Sequence, residues 1–211
     1  MTALTVKNKQ IFFEELALAH YLYPRTKSPT RSEPQGQPTP EMLLNKDRLY
    51  VTLHVRAGAS VMSGKEDTSG TGKRSIRYHA KEQINPDRKR SEWIFEESEN
   101  ALDSSNMMLV RILVGKVVDG HRVVEILRST PSRQGTPGWN CVGWVQEALQ
   151  RLRADETALG RSSVVEWVVV RDEAMKYCER KKEEHRFDGK GGFDMRVIPT
   201  YDLIRGKEVV R

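Results

Sequence analysis

Apolar and polar positions alternate most clearly at Leu49, Val51, Leu53 and Val55, which interleave with Tyr50, Thr52, His54 and Arg56. A period of two belongs to a strand with one buried face, so a strand is predicted from about Leu49 with His54 on its solvent side. Ile76 to Ala80 and Trp93 to Glu97 predict two further short strands, and the apolar run Met108 to Val114 the strongest one. Asp119-Gly120 marks a turn, and Val123 to Leu127, ambiguous in pattern, is read in favour of a short helix. The period then changes. Trp144, Val145, Ala148, Leu149 and Leu152 follow Cys141 at i+3, i+4, i+7, i+8 and i+11, the stripe of a helix buried on one side. Pro137-Gly138 enforce a turn before it, and Asn140 is a favourable N-cap, so the helix is predicted to start at Cys141 and run to about Arg153. Val164 to Phe187 predicts a second long helix, with Trp167, Val170, Ala174, Tyr177 and Lys181 on one side, with a strand over Trp167-Val168-Val169-Val170 as the alternative. Strands first and helices later point to an α+β fold, a small antiparallel sheet packed against helices.

Upstream, Ile11, Phe12, Leu16, Ala19 and Tyr23 are spaced loosely as on a helix. Pro24, Pro29, Pro34, Pro38 and Pro40 then place five of the nine prolines in one polar stretch, the composition of a flexible linker. The expected organisation is a helical appendage over 1–23, a Pro-rich linker over 24–47 and an α+β domain over 48–211. Residues 57–75, rich in Gly, Ser, Thr and charge, read as a long loop within that domain.

Composition narrows the function classes. A mean hydropathy of −0.62, with 37% hydrophobic and 30% charged residues, is that of a water-soluble chain. No apolar run approaches a membrane span, and Met1-Thr2-Ala3-Leu4 has no secretory-signal pattern. Two cysteines make no disulfide framework, so a reducing, cytoplasmic location is expected. The net charge of +6 is spread among acids, as in Arg180-Lys181-Lys182-Glu183-Glu184; the densest basic run is only Arg88-Lys89-Arg90, and neither a basic stripe with stacking aromatics nor a recognised module is seen. Nucleic acid is therefore not the expected partner. The scattered cysteines and histidines have no zinc spacing, and Gly189-Lys190-Gly191-Gly192 lacks the strand-loop-helix setting of a phosphate loop. Glu96, Glu97 and Glu99 read as a solvated strand end. No metal or cofactor is expected.

Cys141 carries the sharpest chemical possibility. A thiol at a helix start lies where the macrodipole favours the thiolate, and its own backbone N–H is half of a possible oxyanion hole. Against this stands the common use of cysteine as a small buried residue. His79 is the best candidate base: Arg77, His79 and Lys81 share one strand face, and Ile76, Tyr78 and Ala80 the other. An exposed strand histidine is the plain alternative. His121 and His185 read as surface residues, His20 as part of the appendage, and Cys178 as structural.

Arg77-Tyr78-His79-Ala80-Lys81, Met108 to Val114, Trp139-Asn140-Cys141 through Leu149, and the Pro-Thr-Tyr-Asp-Leu tail together resemble an uncharacterised family of small proteins of filamentous fungi, over about Arg48 to Glu208. Asn140-Cys141-Val142-Gly143-Trp144-Val145 is also similar to the Asn-Cys-x-His-Phe-Val signature of circularly permuted papain-like domains of the NlpC/P60 and lecithin:retinol acyltransferase-like kind. The resemblance implies a permuted papain-like fold and acyl transfer or hydrolysis through a thioester. Cys141 matches the nucleophile, and His79 the second histidine, which orients the base. The strand expected to supply the base, Tyr-His-Trp-Ala-Leu, has no counterpart: Gly64 to Gly72 lead almost directly into Arg77-Tyr78-His79. Two expectations follow. One is a cysteine-dependent acyl hydrolase or transferase-like domain, acting on an acyl substrate, that has lost its base or uses His79. The other is a non-catalytic module that binds a protein or a small ligand. Loss of a central strand would leave its neighbours with backbone groups to satisfy.

Overall fold

The computed structural model describes residues 13–22, 47–55, 74–101, 108–194 and 197–210. The expected linker over 24–47 lies almost wholly outside them, as does most of the loop expected over 57–75. Seven strands form one sheet: β1 (Phe13–Leu22), β2 (Arg48–Val55), β3 (Arg74–Asn85), β4 (Arg90–Ala101), β5 (Met108–Lys116), β6 (Thr200–Asp202) and β7 (Lys207–Val210). Their spatial order is β4-β3-β1-β2-β5-β6-β7. Three helices, α1 (Gly120–Ser129), α2 (Cys141–Ala154) and α3 (Trp167–Glu183), lie between β5 and β6 in the chain.

The α+β class agrees with the sequence, but the sheet is mixed rather than antiparallel. β6 returns from the helices to run parallel to β5, with Ile112 opposite Tyr201 and Leu113 opposite Asp202. A chain that re-enters a sheet through helical crossovers is free to lie parallel.

The N-terminal expectation is corrected more sharply. Phe13–Leu22 is a central strand and not an appended helix. β1 pairs antiparallel with both neighbours: Leu18 lies opposite Val51 on one side and Tyr78 on the other, and His20 opposite Leu49 and Ile76. The backbone groups that β2 and β3 turn toward each other therefore find partners on β1. The loose helical spacing of its apolar residues yields to two waiting ladders, a tertiary override of local pattern.

Strand alternation sorts the sheet into two faces. Leu49, Val51 and Leu53 of β2, Tyr78 and Ala80 of β3, and Val110, Ile112 and Val114 of β5 join the buried sides of α2 and α3 in one core. α2 packs across β1 and β3, and α3 lies against β5. Trp144 of α2 is fully buried, with its ring centroid 5.7 Å from Phe95 and its Nε1–H donating to the Thr130 carbonyl at 3.2 Å. At the far edge, Lys181 of α3 is fully buried. Its ammonium meets Glu184 at 2.8 Å and Glu208 of β7 at 2.5 Å, and Tyr177 donates its hydroxyl to the same Glu208 at 2.7 Å. No helix among the described residues is long and apolar enough to cross a membrane.

Candidate functional site

The start of α2 forms as its sequence requires. Asn140 is extended (φ −157°, ψ −169°), and its side-chain oxygen accepts the N–H groups of Val142 at 3.0 Å and Gly143 at 3.3 Å. These are orphan donors of the first turn, satisfied by the cap. Cys141 is therefore the first helical residue. Its side chain turns inward with Trp144, Val145 and Ala148 and is 3% exposed, within the core shared by the sheet and helices. Asn140 thus occupies two of the N–H groups that a helix N-terminus otherwise offers to an anion.

His79 lies on the other side of the sheet. Its strand neighbours Tyr78 and Ala80 are in the core with Cys141, so alternation turns His79 to the opposite face. It is 2% exposed, and its Nε2–H donates to Glu96 on β4 at 2.6 Å. Lys81 donates to the same carboxylate at 3.0 Å, and Arg77 lies 3.8 Å from it. Burial acts to raise the Glu96 pKa, but the hydrogen bonds from His79 and Lys81 outweigh it and hold the group below the ordinary carboxylate value. The histidine thus has an orienting acid, as a catalytic dyad does. Among the described residues, however, no hydrogen bond joins it to Cys141.

The remaining titratable candidates divide cleanly. Cys178 is wholly buried on α3, and burial pushes its thiol up to about 12. His121 and His185 are exposed. His54, expected in solvent, is 1% exposed and shares a 3.0 Å hydrogen bond with Thr52, so the sheet face away from the helices is buried at this position. Glu97, read as a solvated strand end, accepts two hydrogen bonds from Arg128 on α1 at 2.8 and 2.9 Å. Among the described residues, no three His, Cys, Asp or Glu side chains are grouped to hold a metal.

An open groove of about 510 Å³ lies along the outward face of α2. Trp139 is part of its lining. Its ring stands edge-on to Trp93 (5.5 Å between centroids, 83°), braced beside Gly143, where a Cβ would come within 3.1 Å of the indole. Glu147 lies along the wall, accepting from Arg133 at 3.0 Å and from Arg151 at 3.1 Å. Burial acts to raise its pKa, and the two guanidinium hydrogen bonds more than reverse this, holding it below the ordinary carboxylate value. Gln146 and Gln150 complete the wall. A reading of apolar periodicity passes over this site, because its residues are the polar positions that the buried stripe leaves on the other side of the same helix. The signal available in sequence was Trp139, an aromatic set just before the N-cap and outside the stripe.

No curated protein and no solved structure matches the chain. The profile of one family, described as a family of unknown function (DUF6914), matches residues 46–210, from just before β2 through β7. That span is most of the chain, and the protein belongs to this family of unknown function.

Proposed function

We propose that this domain is a non-catalytic, small-ligand-binding module built on an α+β scaffold, with Cys141 serving as a core residue. The observation that supports this reading is the separation of the two reactive groups. Cys141 turns into the core between the sheet and α2, while His79 and its partner Glu96 lie on the reverse face of β3. General-base activation needs hydrogen-bond reach between thiol and imidazole, directly or through one water. An open groove borders the outward side of α2, away from the thiol.

Alkylation of the intact, folded chain with iodoacetamide near neutral pH, read by peptide mass mapping, tests this. Both cysteines are expected to react slowly and at comparable rates, limited by opening of the core, with Cys178 as the internal reference for a buried thiol. Labelling of Cys141 much faster than Cys178 under native conditions overturns the proposal.

That outcome would favour the second reading, a cysteine-dependent acyl hydrolase or transferase. Its support is the Asn140-capped start of α2, whose dipole favours a thiolate at Cys141. In that reading Cys141 is the nucleophile that carries the acyl group as a thioester, and His79 with Glu96 supplies the base. His79→Ala would then slow alkylation of Cys141 and flatten its dependence on pH, whereas a structural histidine leaves the pH dependence unchanged.

A further inference from the structure

We infer that the outer edge of β4 is a strand-pairing surface for a second copy of this chain, and that the side chain of Gln134 holds it closed. β4 is the last strand on its side of the sheet and pairs with β3 alone. Its 12 residues are about twice the usual strand length, and it carries Ile94, an exposed apolar residue. A long edge of that kind is a template for a further strand. The β3–β4 ladder runs without a register break, so the backbone groups of alternate residues turn away from β3. Gln134, in the connection between α1 and α2, shows which ones. Its side-chain amide accepts the Trp93 N–H at 2.9 Å and donates to the Trp93 carbonyl at 2.5 Å. Trp93 therefore faces outward, and Ser91, Phe95 and Glu97 with it. The outward groups of Phe95 and Glu97 have no partner. One amide, a donor beside an acceptor, thus fills the place of a residue on a neighbouring strand. Trp139, edge-on to Trp93 at 5.5 Å, holds the same connection against β4.

Charge and register point to a second copy as the occupant. The chain is basic where it enters β4, at Arg88-Lys89-Arg90, and acidic toward the end of the strand, at Glu96, Glu97 and Glu99. Two copies paired antiparallel set unlike ends side by side. Outward residues pair with outward residues, so a symmetric register centred on Phe95 sets Phe95 opposite its own equivalent, Trp93 opposite Glu97 and Ser91 opposite Glu99 of the second copy. An aromatic pair then meets at the centre, which favours the ladder. That register needs the two Trp93 groups that Gln134 occupies. With Trp93 closed, symmetric pairing is confined to the stretch from Phe95 to Ala101, centred on Ser98. There Glu97 lies opposite Glu99 of the second copy, twice over, and like charges directly opposite destabilise a sheet. Gln134 therefore leaves free only the half of the edge that repels itself. A two-fold contact of this kind uses the same edge on both copies and closes at a dimer.

The test is sedimentation velocity of the full chain and of Gln134→Ala from about 1 to about 100 μM, with amide hydrogen exchange on both. The parent chain is expected to stay monomeric. Gln134→Ala is expected to dimerise at least about tenfold more tightly, with exchange at Phe95 and Glu97 slowing as concentration rises. Gln134 is exposed, so the melting temperature of the dilute variant should match the parent. Gln134→Glu is the second variant. It keeps the size of the side chain and an acceptor for the Trp93 N–H, but its carboxylate has no donor for the Trp93 carbonyl, and it is expected to dimerise to an intermediate degree. The inference is overturned if both variants stay monomeric across the range, if they associate while exchange at Phe95 and Glu97 is unchanged, or if the parent is already a dimer with those amides protected.

Discussion

Asn140 shows how much one residue can specify. It ends the turn begun by Pro137-Gly138, accepts two first-turn N–H groups of α2 and so decides that Cys141 is the residue that opens the helix. Asn140→Ala is expected to cost about 1 kcal/mol, within the usual 0.5–2 kcal/mol for loss of a cap, seen as a lower urea midpoint with the slope unchanged. A midpoint equal to that of the parent chain would mean that packing of Trp144 and Val145 alone sets the helix start. Trp144, fully buried and bonded to Thr130, is the larger single contributor. Trp144→Ala is expected to remove about 3–5 kcal/mol, which a thermal or urea melt would read directly. Cys141 and Asn140 were legible in the sequence because a cap and a stripe are local patterns. The burial of His54 was not. Alternation showed which face it shares with Thr52, but alternation alone does not tell a covered face from a solvated one.

At the scale of elements, length and regularity decided what could be read. β2, β5 and α2 carry long, clean periods, and α1 and α3 formed where their shorter or mixed patterns suggested. β6 and β7 did not announce themselves, because strands of three and four residues hold too few alternations to separate from loop. Their places come from tertiary partners instead: Arg111 donates to Thr200 at 2.5 Å, and β7 is tied to α3 through Glu208 and Lys181. That tie carries a pH signature. Burial acts to raise the Glu208 pKa, but hydrogen bonds from Lys181 and Tyr177 outweigh it, and the net shift is downward. A carboxylate with a lower pKa folded than unfolded binds fewer protons in the folded chain. Its stabilisation is complete above the unfolded value and is lost as pH falls through the folded one. Glu208→Gln is therefore expected to lower stability by about 1–3 kcal/mol near neutrality and to reduce the loss seen on acidification from about pH 6 to about pH 3. Parallel stability–pH curves for the two chains would show that Glu208 contributes through packing and not through its charge.

At the scale of the whole molecule, the sheet is closed by a strand from outside the region that defines the family. The family match begins at residue 46, whereas β1 spans Phe13–Leu22. β2 and β3 each run antiparallel to β1, and so parallel to one another, on either side of it. The sequence did not announce β1 as the partner of β2 and β3, because β1 reaches its ladders across an intervening stretch of chain that a local pattern does not span. It follows that part of the segment expected to be a helical appendage is a central strand of the sheet. A single backbone change tests this without truncating the protein. Proline removes a donor and is excluded from central strands, and Leu18 faces both Val51 and Tyr78. Leu18→Pro is therefore expected to cost about 3 kcal/mol or more, a large part of the 5–15 kcal/mol that holds a typical domain together. Circular dichroism in urea should show a markedly lower midpoint, and hydrogen exchange should show lost protection on β2 and β3 together, before the β5 amides. An unchanged midpoint, with β2 and β3 still protected, would mean that the region from 46 to 210 supports its sheet without β1 and that the N-terminal strand is an addition to a complete fold.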